Sequence, residues 1–181
     1  MRKLSHDEIA ENRKKPEQIS DAIRHPLYAL IDNVRSLYNV GSIFRSSDGA
    51  LVRKLLLTGY TPAPPRREID KTALGATLTV PWQHYQDPMD AVRELRASGV
   101  RLCAVELTDA GRPHYELQPA DFPLCFAFGN ELTGVSKDVM AAADMAVEIP
   151  MYGHKQSLNV AVAYGVVMYD AVRILRQGMR A

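Results

Sequence analysis

Three short stretches of this 181-residue chain hold the side chains best placed to do chemistry. The first is NVRSLYNVGSIFR, Asn33 to Arg45, with Asn39, Gly41 and Arg45 at the start of a predicted helix. Positions 38, 41/42 and 45 share a helical face, so Arg45 can point where Gly41 leaves room. Ile43 and Phe44 flank it, and an arginine among apolar neighbours is expensive unless paired. The plain alternative is a helix-surface arginine bridged to Asp48 or Asp32. The second stretch is FGNELTGVS, Phe128 to Ser136. Gly129 and Gly134 suit a tight turn in which backbone approaches another group closely. Asn130 and Glu131 can bond a ligand hydroxyl or simply satisfy turn amides. The third is IPMYGHKQSLNVAVAYG, Ile149 to Gly165. There an apolar run ends in a glycine-containing turn, and a slim helix with Ala161, Ala163 and Gly165 follows. Ser157 is its expected N-cap.

The elements that must position these stretches alternate in type. Strand patterns occur at Leu27–Val34, Lys54–Tyr60, Thr77–Trp82 (weak), Val100–Leu107, Leu124–Phe128 and Met145–Met151. Helix patterns occupy about Asn39–Leu51, Ile69–Leu74, Pro88–Ala97 capped by Asp87, a segment from the Ser136 cap to Ala143, and Ser157–Gln177. Six short apolar strands alternating with helices predict an α/β fold with a mostly parallel six-stranded sheet, covered by helices on both faces. Ligands bind such sheets at the carboxyl ends of strands, where both glycine turns and Thr108 fall. No GxGxxG follows the first strand and no GxxxxGK[ST] occurs, which opposes a conventional dinucleotide fold or a P-loop. Residues 1–26 read as a polar extension, with a Ser5/Glu8 capping box opening a short helix from His6 to about Lys15. Residues 27–181 then form one domain.

Composition excludes more than it selects. With 46% hydrophobic and 24% charged residues and a net charge of +1, the chain is an ordinary globular sequence, and any polyanion grip must come from local clusters. Arg13-Lys14-Lys15, Arg66-Arg67 and Arg173, Arg176 and Arg180 are the candidates. The two cysteines, Cys103 and Cys125, lie in apolar runs and read as buried free thiols of a reducing compartment. No Cys/His spacing suggests a metal. His84, His114 and His154 lie in turn-like regions and read as solvated, His154 being the one placed to touch a ligand or RNA. No apolar signal segment follows Met1 and no apolar stretch is long enough for a bilayer, so a cytoplasmic protein without a membrane partner is expected.

Together and in order, NxRSxxNxGSIFR, FGNExxGxS and IPMxGxxxSLNVAVA resemble the three motifs of the SpoU (TrmH-type) branch of the SPOUT RNA methyltransferases, over most of the chain from about Leu27. That resemblance implies a deep C-terminal trefoil knot whose loops bind S-adenosylmethionine, a homodimer with the active site at its interface, and methylation of a ribose 2′-hydroxyl in tRNA or rRNA. It implies a cofactor site made by Leu107, Thr108, Gly129, Asn130, Glu131, Gly134, Ile149, Met151, Leu158 and Asn159. It makes Arg45 the catalytic arginine, with Asn39, Glu131, Ser157 and Asn159 completing the site. No separate N-terminal RNA-binding domain of the kind some larger members carry is seen, so the RNA grip falls to Arg13, Lys14, Lys15, Arg66, Arg67 and His154. Competing readings are a non-catalytic RNA-binding protein on the same fold, which needs no such constellation, and methylation of a base nitrogen, which this motif set disfavours.

Overall fold

A computed structural model of the chain describes residues 1–11, 18–19 and 22–178. Arg13, Lys14, Lys15 and Arg180 therefore lie outside the described residues. The capping box forms as expected. The Glu8 amide donates to Ser5 Oγ at 3.3 Å and the Ser5 amide to Glu8 Oε2 at 2.7 Å, opening helix α1, His6–Glu11.

From His25 onward, strands and helices alternate. In chain order they are β1 (His25–Asp32), α2 (Leu37–Gly49), β2 (Val52–Thr58), α3 (Arg67–Ala73), β3 (Trp82–Tyr85), α4 (Pro88–Ala97), β4 (Arg101–Val105), β5 (Arg112–Pro113), β6 (Leu124–Phe128), α5 (Lys137–Ala142), β7 (Met145–Glu148) and α6 (Val160–Gly178). One sheet holds all seven strands in the order β3-β2-β1-β6-β4-β7-β5, and every pairing is parallel. Side chains alternate between its faces. Ala29, Ile31 and Phe126 meet Ile43, Phe44, Ile69 and Met168 on the α2/α3/α6 side. Leu30, Leu56 and Ala127 meet Ala91, Val92, Leu95 and Val139 on the α4/α5 side. Burial on both faces is why these strands read as continuous apolar runs.

Three elements differ from expectation. The edge strand is Trp82–Tyr85, because Ala76–Leu78 turns as a 3-10 helix after Leu74 and Gly75, which have φ of 51° and 90°. Thr79, inside the run expected to be strand, instead donates its hydroxyl to Asp48 Oδ1 at 2.5 Å. A seventh strand, the two residues Arg112–Pro113, adds to the edge beside β7, where a proline without an amide proton is tolerated. The last helix opens at Val160, not Ser157. Asn159 caps it, its Oδ1 accepting from the Ala161 amide at 2.9 Å.

Two buried polar ties hold the helices, one to the carboxyl end of β1 and one between α2 and α6. Asp32, at the end of β1, is fully buried and accepts the Ser136 amide at 2.7 Å and Asn33 Nδ2 at 2.9 Å. Ser136 holds the cap position of α5 as expected, but its side chain caps nothing and its hydroxyl is buried without a partner. On α6, the buried Tyr164 hydroxyl lies 2.5 Å from Ser47 Oγ, which donates its own proton to the Ile43 carbonyl at 2.6 Å. Tyr164 must then be the donor to Ser47, and burial raises its phenol pKa well above the ordinary value.

Candidate functional site

The carboxyl ends of β4, β6 and β7 and the segment leading into α6 enclose a cavity of about 320 Å³. From β4 come Val105, Glu106 and Leu107. From β6 and its turn come Phe128 to Leu132 and Gly134. From β7 come Glu148, Ile149 and Met151. From the approach to α6 come Gln156 to Val160, with Ala163 on the helix itself. Of the expected cofactor residues, Leu107, Gly129, Asn130, Glu131, Gly134, Ile149, Met151, Leu158 and Asn159 all meet here. Thr108 does not. It lies one residue beyond the wall, with its hydroxyl buried, unpartnered and beside Gly111.

The glycine turn is built by close backbone contact. A Cβ on Gly129 would sit 2.0 Å from the Gly134 carbonyl carbon and 2.1 Å from the Val135 nitrogen, so only glycine fits. Asn130 and Gly134 exchange both backbone bonds at 3.0 Å. The Asn130 side chain is buried and fully used. Its Nδ2 donates to the Asn33 carbonyl at 2.8 Å and to the Tyr60 hydroxyl at 2.9 Å, while Oδ1 accepts the Leu132 and Thr133 amides at 2.9 and 3.1 Å. Asn130 is thus the turn's internal brace. Glu106, which the sequence reading missed, anchors the turn from β4 by accepting the Val135 amide at 3.2 Å. Nothing in its local sequence marked it, because its partner is a backbone amide far along the chain.

Glu131 joins the first motif to the second. Its carboxylate accepts the Arg35 amide at 3.0 Å, the Ser36 amide at 3.2 Å and Asn39 Nδ2 at 3.1 Å. Desolvation pushes its pKa up, but these donors outweigh it and hold the carboxyl below the usual range. Asn39 in turn accepts from Asn159 Nδ2 at 3.2 Å. Glu131, Asn39 and Asn159 therefore form one chain of hydrogen bonds linking all three motifs. Ser157 lines the cavity and is exposed.

Arg45 differs from expectation. It is exposed on α2, lies outside the cavity wall, and pairs with neither Asp48 nor Asp32 nor any other described residue. Gly41, on its helical face, is filled by α3, where a Cβ would meet the Ile69 carbonyl oxygen at 2.3 Å. Asp48 accepts the Thr79 hydroxyl and the buried Asp32 the Ser136 amide.

Arg66, Arg67 and His154 are exposed, and Arg66 and Arg67 have no ion pair among the described residues. His114 is not solvated as expected. Strand β5 brings it to α6, where its Nδ1 lies 3.0 Å from Asp170 Oδ2, and Arg173 Nε donates to the other oxygen at 2.7 Å. His84 is half-buried. Both thiols are free and buried, and burial pushes Cys103 up to about 12. Among the described residues no three His, Cys, Asp or Glu side chains group as a metal site, and no helix is long and apolar enough to cross a membrane.

The description of the SpoU rRNA Methylase family matches residues 26–169. Over 153 residues the chain is 31% identical to the tRNA (guanosine(18)-2'-O)-methyltransferase of Escherichia coli K12, covering 84% of this chain and 66% of that enzyme. Over 158 residues it is 32% identical to the 23S rRNA (guanosine-2'-O-)-methyltransferase RlmB of a Burkholderia species, covering 87% and 63%. The crystal structure of the SpoU methyltransferase AviRb from Streptomyces viridochromogenes in complex with AdoMet superposes with a TM-score of 0.76. It is 27% identical and covers 90% of this chain and 64% of that one. The chain thus spans just under two thirds of each of these relatives.

Proposed function

Because the chain belongs to the SpoU rRNA Methylase family, we propose that it methylates a ribose 2′-hydroxyl of RNA with S-adenosylmethionine as donor. The observation that carries this reading is the cavity itself. The second and third motifs, with the end of β4, supply the wall at the strand ends, and the Glu131–Asn39–Asn159 chain ties the first motif to them. Relatives that methylate guanosine in tRNA and in 23S rRNA support both RNA classes as substrates.

The wall fits the cofactor chemically. Leu107, Ile149, Met151 and Leu158 offer apolar surface for a purine ring, and the backbone of the strand ends offers donors and acceptors for its edge. Gly129 lets the turn close on itself, because a Cβ there would collide with the Gly134 and Val135 backbone. When bound, S-adenosylmethionine supplies an electrophilic sulfonium methyl. Residues 27–181 form the catalytic domain in this reading, residues 1–26 an extension, and residues 129–134 and 149–160, which line one cavity, belong to the family's knot.

Guanidinium groups stay charged in proteins. We therefore give Arg45 the task of gripping the phosphate beside the target ribose and aligning its hydroxyl, with Ser157, Asn39 and Asn159 as hydrogen-bonding neighbours. Alignment of this kind can contribute ~7–11 kcal/mol to a barrier. Since Arg45 lies outside the wall, the site is completed by a second copy of the chain. The support is an apolar stripe on α6: Val162, Val166 and Tyr169, at helical spacing, are 52%, 38% and 52% exposed.

The test combines calorimetry with methyl incorporation. S-adenosylmethionine should bind the isolated protein, and Arg45→Lys should keep that binding while nearly abolishing transfer to RNA. Absence of cofactor binding would sink the methyltransferase reading, and near-normal turnover by the lysine variant would sink the role given to Arg45.

A further inference from the structure

Tyr60 has no part in the assignments above. It follows β2 at the same carboxyl edge as the cavity, and the residue is 61% exposed. An exposed tyrosine would ordinarily be free to swing, but this one is tied at both ends. Its amide donates to Asn33 Oδ1 at 3.2 Å, and its hydroxyl accepts from Asn130 Nδ2 at 2.9 Å. Asn130 is itself buried and belongs to the cavity wall. The residues on either side are equally fixed. Gly59 has φ of 63° and donates to the Tyr85 carbonyl at 3.0 Å. Thr61 is buried, donates to the Ile31 carbonyl at 2.9 Å and accepts the Val34 amide at 3.1 Å. Among the described residues, Tyr60 is the exposed aromatic whose hydroxyl is bonded to the wall of the cavity.

A planar apolar ring held still in solvent has lost its rotamer freedom already, so a flat partner can settle on it at little further entropic cost. The segments that hold Tyr60 carry Arg35, and the chain after it leads through Arg66 to Arg67 at the start of α3; all three are exposed, with no side-chain partner among the described residues. Unpaired cations within two to seven residues, along the chain, of the segments that hold a fixed aromatic ring match a single-stranded polynucleotide, with phosphates on the cations and a base on the ring. Resting on the RNA-methylating function proposed above, we infer that the Tyr60 ring is a stacking platform for a nucleobase of the substrate RNA, at or beside the nucleotide whose ribose enters the site. Tyr60 is then an RNA-binding residue, and its hydroxyl a peg that holds the platform to Asn130.

The test uses the full chain, methyl-labelled S-adenosylmethionine, and total RNA from cells in which the gene is deleted. Tyr60→Ala should raise the KM for RNA by roughly 5- to 100-fold, the worth of one base–aromatic stack. Its kcat at saturating RNA and its cofactor Kd should stay near the unaltered values. Tyr60→Phe keeps the ring, loses the peg, and should keep most of the RNA affinity. Tyr60→Leu keeps bulk without a π face and should behave as the alanine variant does, which covers a failure of the latter to fold. An unchanged KM in Tyr60→Ala and Tyr60→Leu would overturn the inference. So would a phenylalanine variant as damaged as the alanine one, since the hydroxyl's hold on Asn130 would then be the whole effect. If the unaltered chain transfers no methyl group, the proposed function fails on that result alone. Filter retention of the same RNA then decides the platform separately: loss with Tyr60→Ala but not Tyr60→Phe supports it, and equal retention overturns it.

Discussion

Glu131 shows how one side chain can join segments that are distant in sequence. Its three donors come from the loop before α2 and from the first turn of that helix. The carboxyl is acidified in the folded state, so the stability it contributes is complete above the ordinary carboxylate range near pH ~4 and is lost as pH falls through the lowered folded value. Glu131→Gln should melt roughly 2–4 °C below the unaltered chain at neutral pH. That gap should shrink as pH falls below the ordinary carboxylate range and through the lowered folded value. Melting curves across this range check it, and a gap constant with pH would show that the glutamate does not act through its charge. The sequence offered Glu131 as either a ligand contact or a turn brace. A lone Gly-Asn-Glu cannot tell which, because the deciding partners lie about a hundred residues away.

Among the elements, the Gly129–Gly134 turn is the least tolerant. Gly129→Ala forces the new methyl onto backbone that has no rotamer to escape through. We expect a loss of ~1–3 kcal/mol in stability and weakened S-adenosylmethionine binding, measured by thermal melts and calorimetry. Unimpaired cofactor affinity would mean that the turn does not shape the pocket. The strands were legible because burial on both faces leaves continuous apolar runs. The misplaced edge strand and the late start of α6 were not. The first depended on Thr79 reaching Asp48, and the second on Asn159 rather than Ser157 capping the helix. Both Ser and Asn are good caps, and only the three-dimensional path decides between neighbours. The two-residue β5 carries no periodicity at all, and with it the burial of His114 against Asp170 went unseen.

For the molecule as a whole, the exposed stripe on α6 bears on assembly. Val166→Glu places a charge in its centre. In the proposed dimer it should shift the sedimenting species from two chains to one and suppress methyl transfer, with the monomer still folded by circular dichroism. Sedimentation as a monomer by the unaltered chain would remove the case for a shared site. Fold class and the pocket walls from the second and third stretches could be read from the sequence because they rest on patterns internal to each segment. The solvent-facing position of Arg45 could not, since it depends on which face of α2 packs against α3 and α6.

The order of strands in the sheet also dictates an order in time. β1, β2 and β3 lie side by side, with β2 in the middle, and can pair as soon as they leave the ribosome. β4 cannot join them: its partners, β6 and β7, are both made after it, and β6 is the strand that stands between it and β1. During synthesis the apolar run Arg101–Val105 therefore waits with both edges bare until Leu124–Phe128 slots in beside Leu27. That wait is the interval in which a nascent chain of this topology is most open to aggregation or to capture by a chaperone.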